Sequence, residues 1–425
     1  MRHRFSTKII QIVHDLYNQA AIGCRTIARV LQVFAKQILP RAPHHTTIHQ
    51  WLVRSGCHSL QSSLEQAEDW VAIGDLTVSV GKMKCLAITG VRMSSLEQKE
   101  NFNLTHKDVV VLGLYPIEKS DSTFVKEALE DAAKRVGGSL LAAVFDQGSD
   151  VKKGALLFQQ EHPEVKILHD IAHKLSNVVE RALKNDAKWK KYIRKLNMTR
   201  RRALQTELAA LMPAKQREKA RFMDIGFLVD WPGRVLKSKA EGHLLDISEE
   251  RFQDYFGWIK KFDAALDVWG LMVGIVETIK EVVRTYGLSE AAYSYLKSFF
   301  EEAPIEGRKL QAFISDSLEA VREEVEKLDE GQTLLCSTEV LESVFGKYKA
   351  INEGIQGITG NVLGICTFVG PERSEEELKR VMEQCSVRKG QEWVKKKVGN
   401  TVPYFRKKFF PGSKRTNFDV CFGAG

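Results

Sequence analysis

Along the first sixty residues, apolar positions recur at steps of three and four in three short blocks, the spacing of one helix face. "FSTKIIQIVHDLYNQ" aligns Ile9, Ile10, Val13 and Leu16, with Ser6 placed to cap the helix. "IGCRTIARVLQVFAKQ" turns at Gly23 into a second helix. After "PRAPHH", "TTIHQWLVRSG" reads as a third, capped by Thr46 or Thr47 and stopped by Gly56. From Trp70 the texture changes to strand: "WVAIGDLTVSVG" and "KMKCLAITGVRM" are β-rich runs joined by a turn near Gly81–Lys82. "KDVVVLGLYPIE" is a third, mostly apolar and so buried. Next come an amphipathic helix opened by Asp121 or Ser122 and closed by Gly137–Gly138, and the strand "SLLAAVFD". A helix over 151–161, the short strand "EVKILHD" and a helix beginning "IAHKLSNVVERAL" complete the alternation. From about 175 to 330 nothing reads as strand, and charged amphipathic helices follow one another.

"CSTEVLESVFGKYKAI" (336–351) is again helical, with Leu341, Phe345 and Tyr348 on one side and Glu342, Gly346 and Lys349 at helical spacing on another. Residues 372–399 are helical and charged, and the chain ends in a basic stretch holding Pro403 and Pro411.

Three consecutive strands, then helical crossovers, give the order βββαβαβα of a ribonuclease-H-like α/β core with a mixed five-stranded sheet. The implied organisation is a helix-turn-helix domain over 1–62, core segments over 68–175 and 333–370, an all-helical insertion over 176–332, and a basic C-terminal helix and tail over 371–425. Helix, glycine turn, helix, then a short helix with exposed polar residues is the pattern of a DNA reader. Its candidate contacts are Arg25, Thr46, Thr47, His49, Gln50 and Arg54. A plain three-helix bundle or dimerisation module fits the same pattern.

Composition narrows the classes. A chain of 425 residues exceeds one ordinary core, and 44% hydrophobic with 28% charged residues describes a folded globular protein. The formal net charge of +9 is concentrated in "KWKKYIRKLNMTRRR" (188–202) and "RKKFFPGSKR" (406–415), which points to a polyanionic partner. Seven scattered cysteines form no CxxC pair, which argues against a zinc ribbon or disulfide framework. The N-terminal stretch is interrupted by charge too early for a signal peptide, and no apolar run reaches the roughly 18 residues of a membrane helix. A cytoplasmic protein is expected, associated with the nucleoid when bound to DNA.

Asp75 lies inside an otherwise apolar strand, where an acid costs several kcal/mol unless a cation or partner meets it. Asp146 ends the fourth strand, where α/β sheets place their ligands. First and fourth strands are neighbours in the expected core, so the two carboxylates come side by side. Oxygen-only ligation suits Mg²⁺ or Mn²⁺. The helix after the insertion supplies a third acid, Glu342, with Glu339 one turn earlier as its rival; Asp150 is a lesser rival to Asp146.

"GDLTVSVG", "AAVFDQGSD" and "STEVLESVFGKYK", in that order, resemble the three acidic motifs of DDE transposases of bacterial insertion sequences. The resemblance covers 70–175 and 333–370. It implies that Asp75, Asp146 and Glu342 are the catalytic acids holding two metal ions, with Lys349 on a phosphate and Gly346 keeping the groove open for a DNA backbone. "HDIAHKL" matches an Asp-x-x-His motif of many members through Asp170 and His173, which are auxiliary; capping by Asp170 with a surface histidine is the plainer reading. The arginine that some relatives carry one turn before the Glu is absent, that position being Thr338.

The family's activity is cleavage at transposon-end inverted repeats and joining of the 3′-OH to target duplex DNA, through two metals about 4 Å apart and usually as a homodimer on DNA. Two alternatives stand beside it: a nuclease or resolvase of the same fold that never joins strands, and a catalytically inactive helix-turn-helix regulator. Trp258 and Trp269 are candidates for stacking on an unpaired base, with core packing as the ordinary role.

Overall fold

The computed structural model describes the chain apart from residues 1–4, 36–40, 79–82, 215–221, 245–246, 353–357, 401 and 412–425. The expected hairpin turn at Gly81–Lys82 and the end of the basic tail lie outside the described residues.

β-branched and apolar runs give five strands: β1 (Trp70–Val78), β2 (Lys84–Arg92), β3 (Val110–Ile117), β4 (Ala142–Phe145) and β5 (Lys166–His169). They form one mixed sheet in the order β3-β2-β1-β4-β5. β1 pairs antiparallel with β2, β2 antiparallel with β3, and β1 parallel with β4.

In chain order the helices are α1 (Thr7–Asn18), α2 (Cys24–Ala35), α3 (His45–Gln61), the single turn α4 (Met93–Leu96), α5 (Ser122–Arg135) and α6 (Ser149–Glu161). Next are α7 (Ile171–Leu183), α8 (Ala187–Ala203), α9 (Gly226–Ala240), α10 (Glu249–Phe256), α11 (Asp263–Tyr286), α12 (Glu290–Glu302) and α13 (Arg308–Val325). The last four are α14 (Glu339–Ile351), α15 (Glu375–Gln384), α16 (Val387–Lys397) and α17 (Val402–Phe409). Two compact units result, one of Met1–Gln98, Leu104–Ile167 and Thr338–Gly425, the other of Lys99–Asn103 and Leu168–Ser337.

In the first unit the two-residue period of the strands decides which side chains meet which helices. Trp70 and Ala72 of β1, Leu86 and Ile88 of β2, and Ala143 and Phe145 of β4 pack with Val125 and Leu129 of α5 and Val151 and Phe158 of α6. Gly74 belongs to that face, and a Cβ there would run into the Phe145 ring. The alternate residues of β1, Val71, Ile73 and Asp75, therefore face the other way. α14 packs against β1, and Tyr348 of α14 is buried beside Cys85 of β2, which lies on the same face as Ala87, the partner of Asp75.

The N-terminal helices depart from the expectation of a free-standing reader. α3 packs against α15, α16 and a buried 3-10 helix at Gly360–Thr367. It is capped by His44, whose side chain accepts from the Thr46 N–H, rather than by Thr46 or Thr47. It also continues past Gly56 to Gln61. Gly56 serves close packing, since a Cβ there would collide with the Leu363 carbonyl. Ser6 stands at the N-cap of α1 but makes no side-chain cap bond. Arg54, expected to be exposed, is 7% exposed, and its guanidinium donates to the carbonyls of Cys385 (2.6 Å) and Met382.

Among its described residues the second unit is helical, apart from the last two residues of β5 and a short antiparallel bridge between Leu288 and Leu334. Its core is aromatic: Trp189 stands edge-on to Trp269 with ring centroids 4.9 Å apart, and Tyr192 touches both. Trp269 is buried, and Trp258 packs on Tyr192 while its indole N–H donates to Thr199 (2.9 Å). Trp269 is a core residue, and Trp258 is half-buried in the same aromatic cluster. Among the described residues, no helix is long and apolar enough to cross a membrane.

Candidate active site

β1 and β4 run in parallel register from Val71↔Ala142 to Gly74↔Phe145. The next residue on each strand is an acid, Asp75 and Asp146. Neighbouring strands lie about 4.8 Å apart, so Asp75, inside β1, comes level with Asp146, just past the carboxyl-terminal end of β4. Both residues are half-buried. Asp146 accepts from the Gly148 N–H at 3.1 Å, a turn that leads the chain from β4 into α6. Its rival Asp150 sits in the first turn of α6 and accepts from the Ser120 hydroxyl at 2.9 Å.

α14 begins at Glu339, three residues later than the periodicity suggested, with buried Thr338 as its N-cap. Its buried stripe is Val340, Leu341, Val344, Phe345 and Tyr348. At the 3.6-residue period, Glu342 lies about 130° round from the centre of that stripe and Glu339 about 170°. Glu342 is thus the acid on the flank nearer the sheet, and Glu339 points more directly away. Both are exposed, as are Gly346 and Lys349. A Cβ on Gly346 would meet nothing within 4 Å, so the bare backbone there fronts open space.

Among the described residues no three His, Cys, Asp or Glu side chains stand together as a metal site. Asp75 and Asp146 alone still fit Mg²⁺, which keeps several waters and is commonly held by one or two carboxylates plus substrate phosphates.

A polar network fixes the opposite flank of α14 and was missed in the sequence. The His106 Nε2 lies 3.1 Å from the Ser343 hydroxyl, and the Lys347 ammonium lies 3.1 Å from the His106 Nδ1 and 3.3 Å from the Asn18 carbonyl. Burial, with Lys347 beside it, pushes the His106 imidazole down, and burial pushes Lys347 down as well. A neutral imidazole accepting from Lys347 and donating to Ser343 satisfies all three groups. More than two hundred residues separate His106 from these partners, so no local pattern announces the contact.

Asp170 and His173 belong to the second unit. Asp170 is 1% exposed and caps α7, accepting from the His173 N–H at 2.9 Å, with the His173 Nδ1 3.9 Å from the same carboxylate oxygen. Of the candidate DNA contacts, Arg25 and Thr46 are exposed, and Thr47, His49 and Gln50 are half-buried. Burial pushes His49 down.

No known protein family matches the chain, and no curated protein matches it.

Proposed function

We propose that the chain is a DDE-type transposase built on a ribonuclease-H-like core, cutting DNA at transposon ends and joining strands into a target duplex. The observation that carries this reading is the side-by-side exit of Asp75 and Asp146 from parallel strands, on the face where an acid-bearing helix packs. The strand order β3-β2-β1-β4-β5, with β2 antiparallel to both neighbours, supports the same core. In this reading Asp75 and Asp146 hold Mg²⁺ or Mn²⁺, with Glu342 as the further acid. Two such ions would activate a water or 3′-hydroxyl and stabilise the leaving oxygen.

The chain's own residues supply the rest. Gly346 leaves room for a backbone, Lys349 offers a cation to a phosphate on the same flank as Glu342, and the His106–Ser343–Lys347 network holds that helix in place. The N-terminal helices serve as the DNA reader through Arg25, Thr46, Thr47, His49 and Gln50, without Arg54, whose donors are already engaged inside the protein. Asp170 and His173 have an auxiliary role, and the protein acts as a homodimer on paired inverted repeats.

The test is incubation of the purified chain with duplexes carrying the inverted repeats that flank its coding region, with Mg²⁺ or EDTA. Metal-dependent cleavage and strand joining are expected, with a loss of ~10²–10³-fold in Asp75→Asn, Asp146→Asn and Glu342→Gln, about the contribution of one essential electrostatic group. Cleavage without joining would make the protein a nuclease. Equal activity in all three variants would refute the site.

A further inference from the structure

α8 carries eight lysines and arginines and no acid in its 17 residues. Such a helix repels itself, because Lys190 and Arg194, and Lys191 and Lys195, are like-charged neighbours at i,i+4. Two of its cations are engaged within the protein: Arg202 pairs with Asp254, and Arg200 donates to the carbonyls of Pro213 and Ala214. Lys188, Lys190, Lys191, Arg194, Lys195 and Arg201 are exposed and pair with no carboxylate among the described residues. They lie in two adjacent rows, 188–191–195 and 190–194–201, along a helix about 25 Å long. The opposite face is committed, since Trp189, Tyr192 and Leu196 are buried in the aromatic core.

We infer that the outer face of α8 is a sequence-independent docking surface for the phosphate backbone of duplex DNA. A line of unpaired cations balances its own repulsion by meeting a line of anions, and duplex DNA presents one charge per ~1.7 Å of axis. Lysine and arginine without an array of amide side chains position a duplex and do not read its bases. A membrane surface is disfavoured, because a helix that lies in lipid must offer an apolar face and that of α8 is already covered. The inference rests on the transposase reading only for the choice of DNA as the polyanion, and it requires no catalysis.

The experiment uses the full chain in EDTA, with a labelled 30-base-pair duplex of arbitrary sequence read by fluorescence anisotropy across a salt series. The combined variant Lys190→Ala, Lys191→Ala, Arg194→Ala, Lys195→Ala is expected to bind at least ~10-fold more weakly at about 0.1 M salt. Its log–log salt slope should fall by ~3 to 4, since each phosphate contact contributes about 0.9. A variant with the three lysines changed to arginine should keep wild-type binding, and circular dichroism checks that each folds. Unchanged affinity and slope in the alanine variant overturn the inference, as does a loss confined to single-stranded RNA or to anionic vesicles. Binding is read in EDTA, where no metal-dependent cleavage proceeds, so loss of docking is read separately from loss of catalysis.

Discussion

Glu324, near the end of α13, is 1% exposed and sits among cations. Its carboxylate accepts from the His169 N–H at 2.9 Å, from Lys174 at 2.8 Å and from Lys327 at 2.5 Å. Lys174 is itself 5% exposed, and its other carboxylate partner, Glu323, is well exposed at 59%. This cluster ties α13 to α7, the helix that Asp170 caps. Breaking a buried pair from one side costs about 3–5 kcal/mol, because the remaining charge stays behind without compensation. Glu323 softens that cost for Lys174, so Glu324→Ala is expected to lose about 3 kcal/mol. Glu324→Gln can still accept from His169 and should lose about 2 kcal/mol.

The double replacement Lys174→Met, Glu324→Leu removes both charges and should return to within about 1 kcal/mol of wild type. Four of the seven tryptophans, at 189, 231, 258 and 269, lie in the second unit, so urea unfolding followed by tryptophan fluorescence reports mainly on it. With an m-value of about 2 kcal/mol/M, the Glu324→Ala midpoint should drop by ~1.5 M.

The pH dependence has a definite sign. Burial pushes the Glu324 carboxyl up, but Lys327 and Lys174 outweigh it, and the net direction is down from the ordinary 4.5. Its contribution is therefore fully present above pH 4.5 and fades as the pH falls below that value. The gap between wild type and Glu324→Gln should narrow on acidification. Equal stabilities at pH 7, or a gap that persists unchanged below pH 4, would refute this account.

His14 is buried against the Ser55 hydroxyl at 3.0 Å, and burial, then Arg373, hold its imidazole down at about 3 instead of 6.5. Its contribution is present above pH 6.5 and drains as the pH falls towards 3, at about 1.4 kcal/mol per pH unit. His14→Gln should flatten that slope in urea titrations at pH 7.5, 6 and 5, and parallel profiles would contradict the assignment. Gly346→Ala adds a methyl to open space on a helix and should raise stability by about 1 kcal/mol, read by thermal melting. If Gly346 keeps a groove for DNA, the same variant loses end cleavage; undiminished cleavage removes that role.

Local periodicity was enough to mark all five strands, because alternation and β-branched runs are properties of a few adjacent residues. It marked α5 and α7 as well: of the caps it left open, Asp121 and Asp170 accept from the N–H groups of Phe124 and His173. It also singled out Asp75 and Asp146, since an acid inside or at the end of an apolar strand is conspicuous in the sequence itself. The same local logic failed where a residue's partner is remote. Gly56 looks like a helix stop until the Leu363 carbonyl is seen against it, and Arg54 looks like a surface contact until α15 covers it. The sequence favoured Glu342 over its rival Glu339 but gave neither of them a direction. Only the choice of which stripe of α14 to bury gave them different directions.

The sequence by itself determined the elements, the two acids and the concentration of charge on α8, all encoded in neighbouring residues. Tertiary structure alone decided the cluster around Glu324 and the network from His106 to α14, and it supplied the register by which Asp75 comes beside Asp146, a neighbourhood the strand order had already implied. Apart from Lys327, three residues beyond Glu324, those contacts join positions more than seventy residues apart, and packing selects them from many sequence-compatible pairings that no local signal distinguishes.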